Sequence, residues 1–89
     1  MISQRELFLK HLAQTSPSPL QLEIDKAEGV YLYKTNGDRL FDLISGVSVS
    51  NVGHSNPVVV EAACHQAKQY MHLMVYGEYI QSPQVELAN

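Results

Sequence analysis

Few side chains in this sequence are placed to do chemistry, and His54 is the first candidate. It follows Gly53 and comes just before a predicted helix start. An imidazole that acts as a general base usually has a carboxylate or a nucleophile beside it, and none lies nearby in the sequence. We therefore expect a structural imidazole that bonds the backbone of its loop, with a catalytic base as the alternative.

Metal binding has little support from the sequence. His65 and His72 are seven residues apart on the polar side of a predicted helix. Two imidazoles that share a zinc ion on one helix are typically four residues apart. The single cysteine, Cys64, cannot form an internal disulfide. We expect no metal site.

The stretch from Ile44 to Ser55 is rich in Ser, Gly and Asn, which disfavours one regular element throughout. Connections of this length inside a compact unit are usually functional or disordered. Its first residues, Ser45, Gly46 and Val47, allow two interpretations. They form part of a substrate-facing loop, or they belong to a flexible connection with ordinary turn chemistry.

Length and composition limit what surrounds these residues. The chain has 89 residues, 45% of them hydrophobic and 17% charged, as in an ordinary globular protein of at most one small domain. Six basic and nine acidic residues are scattered without clusters, so binding to nucleic acid or to an anionic membrane has no support. No apolar run is long enough to span a bilayer, and we expect a cytoplasmic protein.

Local signals predict an α+β arrangement. Ser3 and Glu6 fit a capping box at the start of a helix over residues 3–14, which the Pro-containing stretch 15–19 ends. Asn36-Gly37 between two strand-like runs predicts a β-hairpin over residues 29–43. A two-residue turn there would pair Tyr33 with Leu40, Leu32 with Phe41, Tyr31 with Asp42, and Val30 with Leu43.

Two further helices are predicted after the loop. Asn56-Pro57 provides a cap and a first-turn proline, and the apolar spacing predicts a long helix that ends before Gly77. Ser82-Pro83 repeats this start, and the sequence ends one or two turns later. Since so short a helix is marginal in water, we expect a fragment of a longer chain.

Four segments in order carry a resemblance to a known family: AEGVYLY (27–33), NGDRLFD (36–42), SGV (45–47) and NVGHSNP (51–57). Together with PQVELA (83–88), they resemble the opening of the class III aminotransferases, which include ornithine, acetylornithine and 4-aminobutyrate aminotransferases. The resemblance covers roughly residues 20–89. It divides the chain into an N-terminal helix and linker (1–19) and a small-domain segment (20–89) that stops at the start of a further helix.

The resemblance implies a fold-type I enzyme that works as a homodimer with pyridoxal 5'-phosphate, which serves as an electron sink. Its partners would be an amino-group donor and a 2-oxo acid acceptor. In the family, the Schiff-base lysine and the other main coenzyme contacts lie after the end of this sequence. We therefore expect no catalytic residue and no coenzyme site in this segment, which alone would be inactive.

The same resemblance places Ser45, Gly46 and Val47 at the wall of the substrate cleft, with Val47 pointing towards the substrate. Some relatives carry an aromatic residue there that contacts a polar or charged group. Since valine cannot form a hydrogen bond, we expect a more apolar wall. Two alternatives stay open: an aminomutase, racemase or decarboxylase of the same family, and a non-enzymatic interaction fragment.

Overall fold

The chain folds into an α+β arrangement of short helices and one three-stranded antiparallel sheet, which confirms the predicted fold class. The computed structural model describes every residue from Met1 to Asn89. Two units are formed, Met1–Asn56 and Pro57–Asn89. The elements in chain order are α1 (Gln4–His11), β1 (Ile24–Glu28), β2 (Tyr31–Lys34), β3 (Arg39–Phe41), α2 (Ser45–Ser48), α3 (Pro57–Gln69) and α4 (Ser82–Ala88).

Helix α1 begins with the predicted capping box. The Ser3 hydroxyl accepts from the Glu6 amide at 3.2 Å, and the Glu6 carboxylate accepts from the Ser3 amide at 2.7 Å. These bonds to Ser3, the backbone one first, hold the pKa of Glu6 below its ordinary value. The predicted end at residue 14 is wrong, because Leu12 is already extended and the Gln14 side-chain amide donates to the Phe8 carbonyl at 3.2 Å.

The sheet contains a strand, β1, that the sequence did not predict. Its residues Ile24–Glu28 are mostly polar and exposed, so they lack the alternation that marks a strand. It pairs with β2 through Ile24–Lys34, Lys26–Tyr33, Ala27–Leu32 and Glu28–Tyr31. One sheet face carries an aromatic and cationic cluster, in which Tyr31 contacts Phe41 at 5.0 Å and the Arg39 guanidinium at 4.5 Å between centres.

The hairpin β2–β3 is confirmed, but its predicted register is wrong by one residue. The observed pairs are Tyr31–Phe41, Leu32–Leu40 and Tyr33–Arg39. The turn has three residues because only Gly37 takes positive φ (93°), while the Asn36 side chain accepts from the Asp38 amide. The Lys34 amide then bonds the Asp38 carbonyl at 2.8 Å. The shift puts Tyr31, Tyr33 and Phe41 on the same face.

The second unit consists of α3, an irregular stretch and α4. Helix α3 begins at Pro57 as predicted but ends at Gln69, well before Gly77. At its end the Tyr70 amide bonds the Gln66 carbonyl, and the Gln66 side chain bonds the Tyr70 carbonyl at 3.0 Å, which caps the last turn. In α4, Gln81 rather than Ser82 is the N-cap residue.

Apolar side chains of both units are open to solvent. No residue of the chain is buried, and Leu43 and Ile80 are 90% and 96% exposed. An open groove of about 790 Å³ lies between α1 and residues 19–23, with Leu7, Phe8 and Leu12 in its lining. No helix combines the length and apolar character needed to cross a bilayer.

Candidate functional site

The 43–53 loop, which contains the predicted substrate-facing residues, is closed at its two ends by side chains. Asp42 directly follows β3, and His54 follows the loop. The His54 Nε2 atom lies 2.5 Å from Asp42 Oδ2. The side chains are mostly sheltered, with 9% of Asp42 and 21% of His54 exposed. An ion pair or charge-assisted hydrogen bond thus connects two residues that are far apart in the sequence.

The Asp42 carboxylate also holds the start of the loop. Its Oδ1 atom accepts from the backbone amides of Ser45 (2.9 Å) and Ile44 (3.1 Å). The bond from His54, followed by that from the Ser45 amide, holds the pKa of the Asp42 carboxyl below its ordinary value. The carboxylate is therefore ionised at neutral pH and only accepts hydrogen bonds, so His54 Nε2 must carry the hydrogen.

His54 is fixed to the sheet by its backbone as well. Its amide donates to the Gly29 carbonyl at 2.8 Å, and its carbonyl accepts from the Gly29 amide at 2.9 Å. The neighbouring Gly53 has φ +82°, and a Cβ atom there would lie 3.2 Å from the Gly29 oxygen. Next to this pair, the Ser55 hydroxyl donates to the Ala27 carbonyl at 2.8 Å. The loop end is thus anchored where β1 turns into β2.

Helix α2 within the loop is a left-handed turn. Its residues Ser45, Gly46, Val47 and Ser48 have φ of 55°, 61°, 64° and 63°. Left-handed backbone costs an L-residue roughly 1–2 kcal/mol, and three of these four residues are not glycine. Backbone bonds inside the turn include Val49 to Ser45 at 2.7 Å and Ser48 to Ile44 at 3.1 Å. Strain of this kind concentrates at functional sites.

The structure brings the three predicted site residues together in this turn. Ser45 is half-buried, Gly46 is exposed, and the Val47 side chain is 81% exposed. The expectation that His54 bonds loop backbone through its imidazole is wrong, because the ring bonds Asp42 and only the main chain of His54 bonds backbone. Asp42 was not among the predicted site residues, since its partner lies twelve residues away and no local pattern relates the two.

The geometry of this loop is suited to present the Val47 side chain to a ligand. A strained turn, held at its start by a carboxylate and followed by a loop end that bonds the sheet, exposes the apolar Val47 and Gly46. Such a wall can contact and orient a ligand. The chain also has no cluster of three or more His, Cys, Asp or Glu side chains placed to hold a metal ion.

Comparison with known proteins identifies the family. Residues 12–89 match the family model of the class-III aminotransferases. Among curated proteins, the acetylornithine aminotransferase of Archaeoglobus fulgidus is 37% identical over 79 residues, which are 89% of this chain and 20% of the relative. The chain therefore spans about a fifth of the length of such relatives.

Solved structures agree with this assignment. The acetylornithine aminotransferase of Elizabethkingia anophelis superposes with a TM-score of 0.78 at 34% identity, covering 91% of this chain and 20% of that one. An ornithine aminotransferase of Toxoplasma gondii, with partial occupancy of pyridoxal phosphate at its active site, gives a TM-score of 0.76 at 26% identity. The superposition covers 92% of this chain and 19% of the Toxoplasma gondii chain. This chain belongs to the class-III aminotransferase family.

Proposed function

We propose that this chain is the N-terminal portion of a pyridoxal-phosphate-dependent aminotransferase, which moves an amino group from an amine-bearing donor to a 2-oxo acid. The match of residues 12–89 to the class-III aminotransferase model carries the proposal. Its relatives include acetylornithine and ornithine aminotransferases. Because the chain spans about a fifth of those proteins, the complete reaction belongs to the whole polypeptide.

In this proposal, Ser45, Gly46 and Val47 form one wall of the substrate cleft. The support is that these residues occupy a strained left-handed turn, which exposes the Val47 side chain and lies in a loop bonded at both ends. An isopropyl group contributes apolar contact area and no hydrogen bond. The wall would therefore favour the aliphatic part of an amino substrate over a polar or charged group.

We propose that the main contacts of the coenzyme lie outside this segment. The Asp42 carboxylate already accepts three hydrogen bonds from within the segment, from His54 and from the Ile44 and Ser45 amides, which supports a role in holding the loop. Lys26 lies over the Tyr33 ring at 4.8 Å, in a sheet-face contact. We assign the Schiff-base lysine and the phosphate contacts to the remainder of the polypeptide, and no step to this segment.

The exposed apolar surface supports an assembly larger than this chain. Side chains such as Leu43, Ile80 and Leu87 are at least 90% exposed, and contact with further polypeptide would remove them from water. We propose that the rest of the enzyme and a second subunit cover them in a cytoplasmic homodimer. If the rest of the enzyme covers these side chains, their exposure in this chain needs no separate interaction function to explain it.

The test is to purify the full-length protein that contains this chain and to add pyridoxal 5'-phosphate. We expect the yellow absorbance of bound coenzyme and transfer of amino groups from ornithine-type donors to a 2-oxo acid, detected by chromatography of the new amino acid. Absence of bound coenzyme would contradict the proposal. Bound coenzyme without amino transfer, but with isomerised or decarboxylated donor, would favour a mutase, racemase or decarboxylase.

A further inference from the structure

We propose that Asp42 and His54 are positioning residues, whose carboxylate–imidazole pair holds the left-handed turn α2 in place and thereby fixes where Val47 is presented to the substrate. The catalytic consequence rests on the proposed function. The structural claim, that this pair orders the 43–53 loop, does not depend on the proposed function. We refer to the two side chains as the Asp42–His54 pair.

One carboxylate joins the two ends of the loop. Asp42 Oδ1 accepts from the two backbone amides that start the turn, and Oδ2 accepts from the imidazole of the residue that ends the loop. All three bonds are charge-assisted, which makes them stronger than bonds between neutral groups. With 9% exposure, the Asp42 side chain is poorly placed to replace these bonds with water.

The left-handed turn needs support from contacts outside itself. Ser45, Val47 and Ser48 all have positive φ, and Val47 is β-branched, for which this conformation is a true outlier. Such a backbone persists only where the surroundings determine it. The Val47 side chain, 81% exposed, contributes little packing that could do so.

The backbone of both residues of the Asp42–His54 pair is itself hydrogen-bonded to the sheet region. The Asp42 amide donates to the Val30 carbonyl at 2.8 Å, and His54 exchanges two backbone hydrogen bonds with Gly29. Both side chains therefore project from backbone that is bonded to the region between β1 and β2. The contacts run without interruption from the sheet, through His54 and Asp42, to the first amides of the turn.

The expected kinetic consequence follows from where the pair acts. In this proposal the pair acts through the loop that it holds and not on the coenzyme or the reacting atoms, so its loss displaces a binding wall and leaves the chemical groups in place. Loss of binding contacts raises KM, whereas loss of interactions made only in the transition state lowers kcat. A positioning role for the pair therefore predicts a change mainly in KM for the amino substrate.

The experiment compares His54→Gln with His54→Asn in the full-length holoenzyme. The terminal amide nitrogen of glutamine reaches about as far as imidazole Nε2 and can donate to Asp42, whereas that of asparagine reaches only as far as Nδ1. Both variants remove the ring and the titratable group. His65→Asn, at an exposed position of α3, is the matched control.

With His54→Asn we expect KM for the amino substrate to rise about tenfold and kcat to stay within about twofold. A tenfold rise in KM corresponds to the loss of one charge-assisted hydrogen bond. Bound-coenzyme absorbance should be unchanged. Amide hydrogen exchange of the 43–53 loop should also quicken about tenfold, which needs no activity to observe. His54→Gln should stay within about threefold of the wild type in each measurement, and His65→Asn should match it.

Equal behaviour of His54→Asn and His54→Gln, or loss of coenzyme and kcat in both, would overturn the proposal. If His54→Asn does not fold, Asp42→Asn decides, because it keeps the side-chain shape and an acceptor for the turn amides. The proposal requires that Asp42→Asn raise KM for the amino substrate at least about threefold. Asp38→Asn, in the hairpin turn, is the control. A wild type without coenzyme or amino transfer refutes the proposed function, while loop exchange still tests the Asp42–His54 pair.

Discussion

The left-handed conformation of α2 predicts opposite effects for the same substitution at two neighbouring valines. Val47 has φ +64°, and Val49, just beyond the turn, has φ −98°. Both side chains are well exposed, 81% and 73%, so their removal costs little apolar burial in either case. Replacement of each by glycine therefore isolates the contribution of the backbone to the stability of the loop.

The magnitude follows from two opposing contributions. At Val47, glycine removes about 1–2 kcal/mol of left-handed strain. It also adds about 0.5–1 kcal/mol of conformational entropy to the opened loop, as glycine does at any ordered position. The net expectation for Val47→Gly is a loop more stable by about 0.5–1 kcal/mol. At Val49 no strain is relieved, so Val49→Gly should destabilise the loop by about 0.5–1 kcal/mol.

Hydrogen–deuterium exchange of a peptide covering the 43–53 loop in the full-length protein measures both effects. Exchange should slow about two- to fivefold in Val47→Gly and quicken by a similar factor in Val49→Gly, since about 1.4 kcal/mol corresponds to a factor of ten. Faster exchange in both variants would mean that Val47 is not held in a strained conformation.

Three further predictions concern the anchors and the exposed surface. Because the pKa of Asp42 is lowered in the folded state, its stabilising effect is present above the ordinary aspartate pKa and is lost as the pH falls through the lowered value. In the full-length protein, the difference in urea midpoint between wild type and Asp42→Asn should therefore be largest at neutral pH and shrink in acid. A pH-independent difference would contradict this. Gly53→Ala should lower the free energy of unfolding in urea by about 1–3 kcal/mol, because the added Cβ would meet the Gly29 oxygen and the residue has positive φ. Gly77→Ala serves as the control and should change little, because Gly77 has open space around it. The isolated 89-residue chain should show no sharp thermal transition in circular dichroism, since none of its residues is buried, and a sharply melting monomer would show that reasoning to be wrong.

Local signals in the sequence predicted the elements that depend on neighbouring residues. The capping box at Ser3, the hairpin around Asn36-Gly37 and the helix that begins at Pro57 are all present. Each of these features depends on contacts between residues at most a few positions apart, so residue type and spacing carry most of the information. The hairpin register was the exception, because a two-residue and a three-residue turn can share the same Asn-Gly pair.

The features that make the candidate site were not predictable in this way. Strand β1 is ordered by its pairing with β2 and carries little strand signal of its own. The left-handed turn contains one glycine among four residues of positive φ, so its composition does not indicate its conformation. The contact of Asp42 with His54 joins residues twelve positions apart. All three depend on tertiary contacts, which a local pattern does not contain.

The location of the strain connects these observations. A sequence under selection for stability alone would place glycine at several positions of a left-handed turn, yet Ser45, Val47 and Ser48 occupy it here. The strain must then be balanced by contacts elsewhere, and the structure provides them in the carboxylate that binds the Ser45 amide and in the imidazole that binds the carboxylate. The side chain at position 47 therefore carries a cost in the backbone, which is the arrangement expected if that side chain contacts a substrate, as we propose.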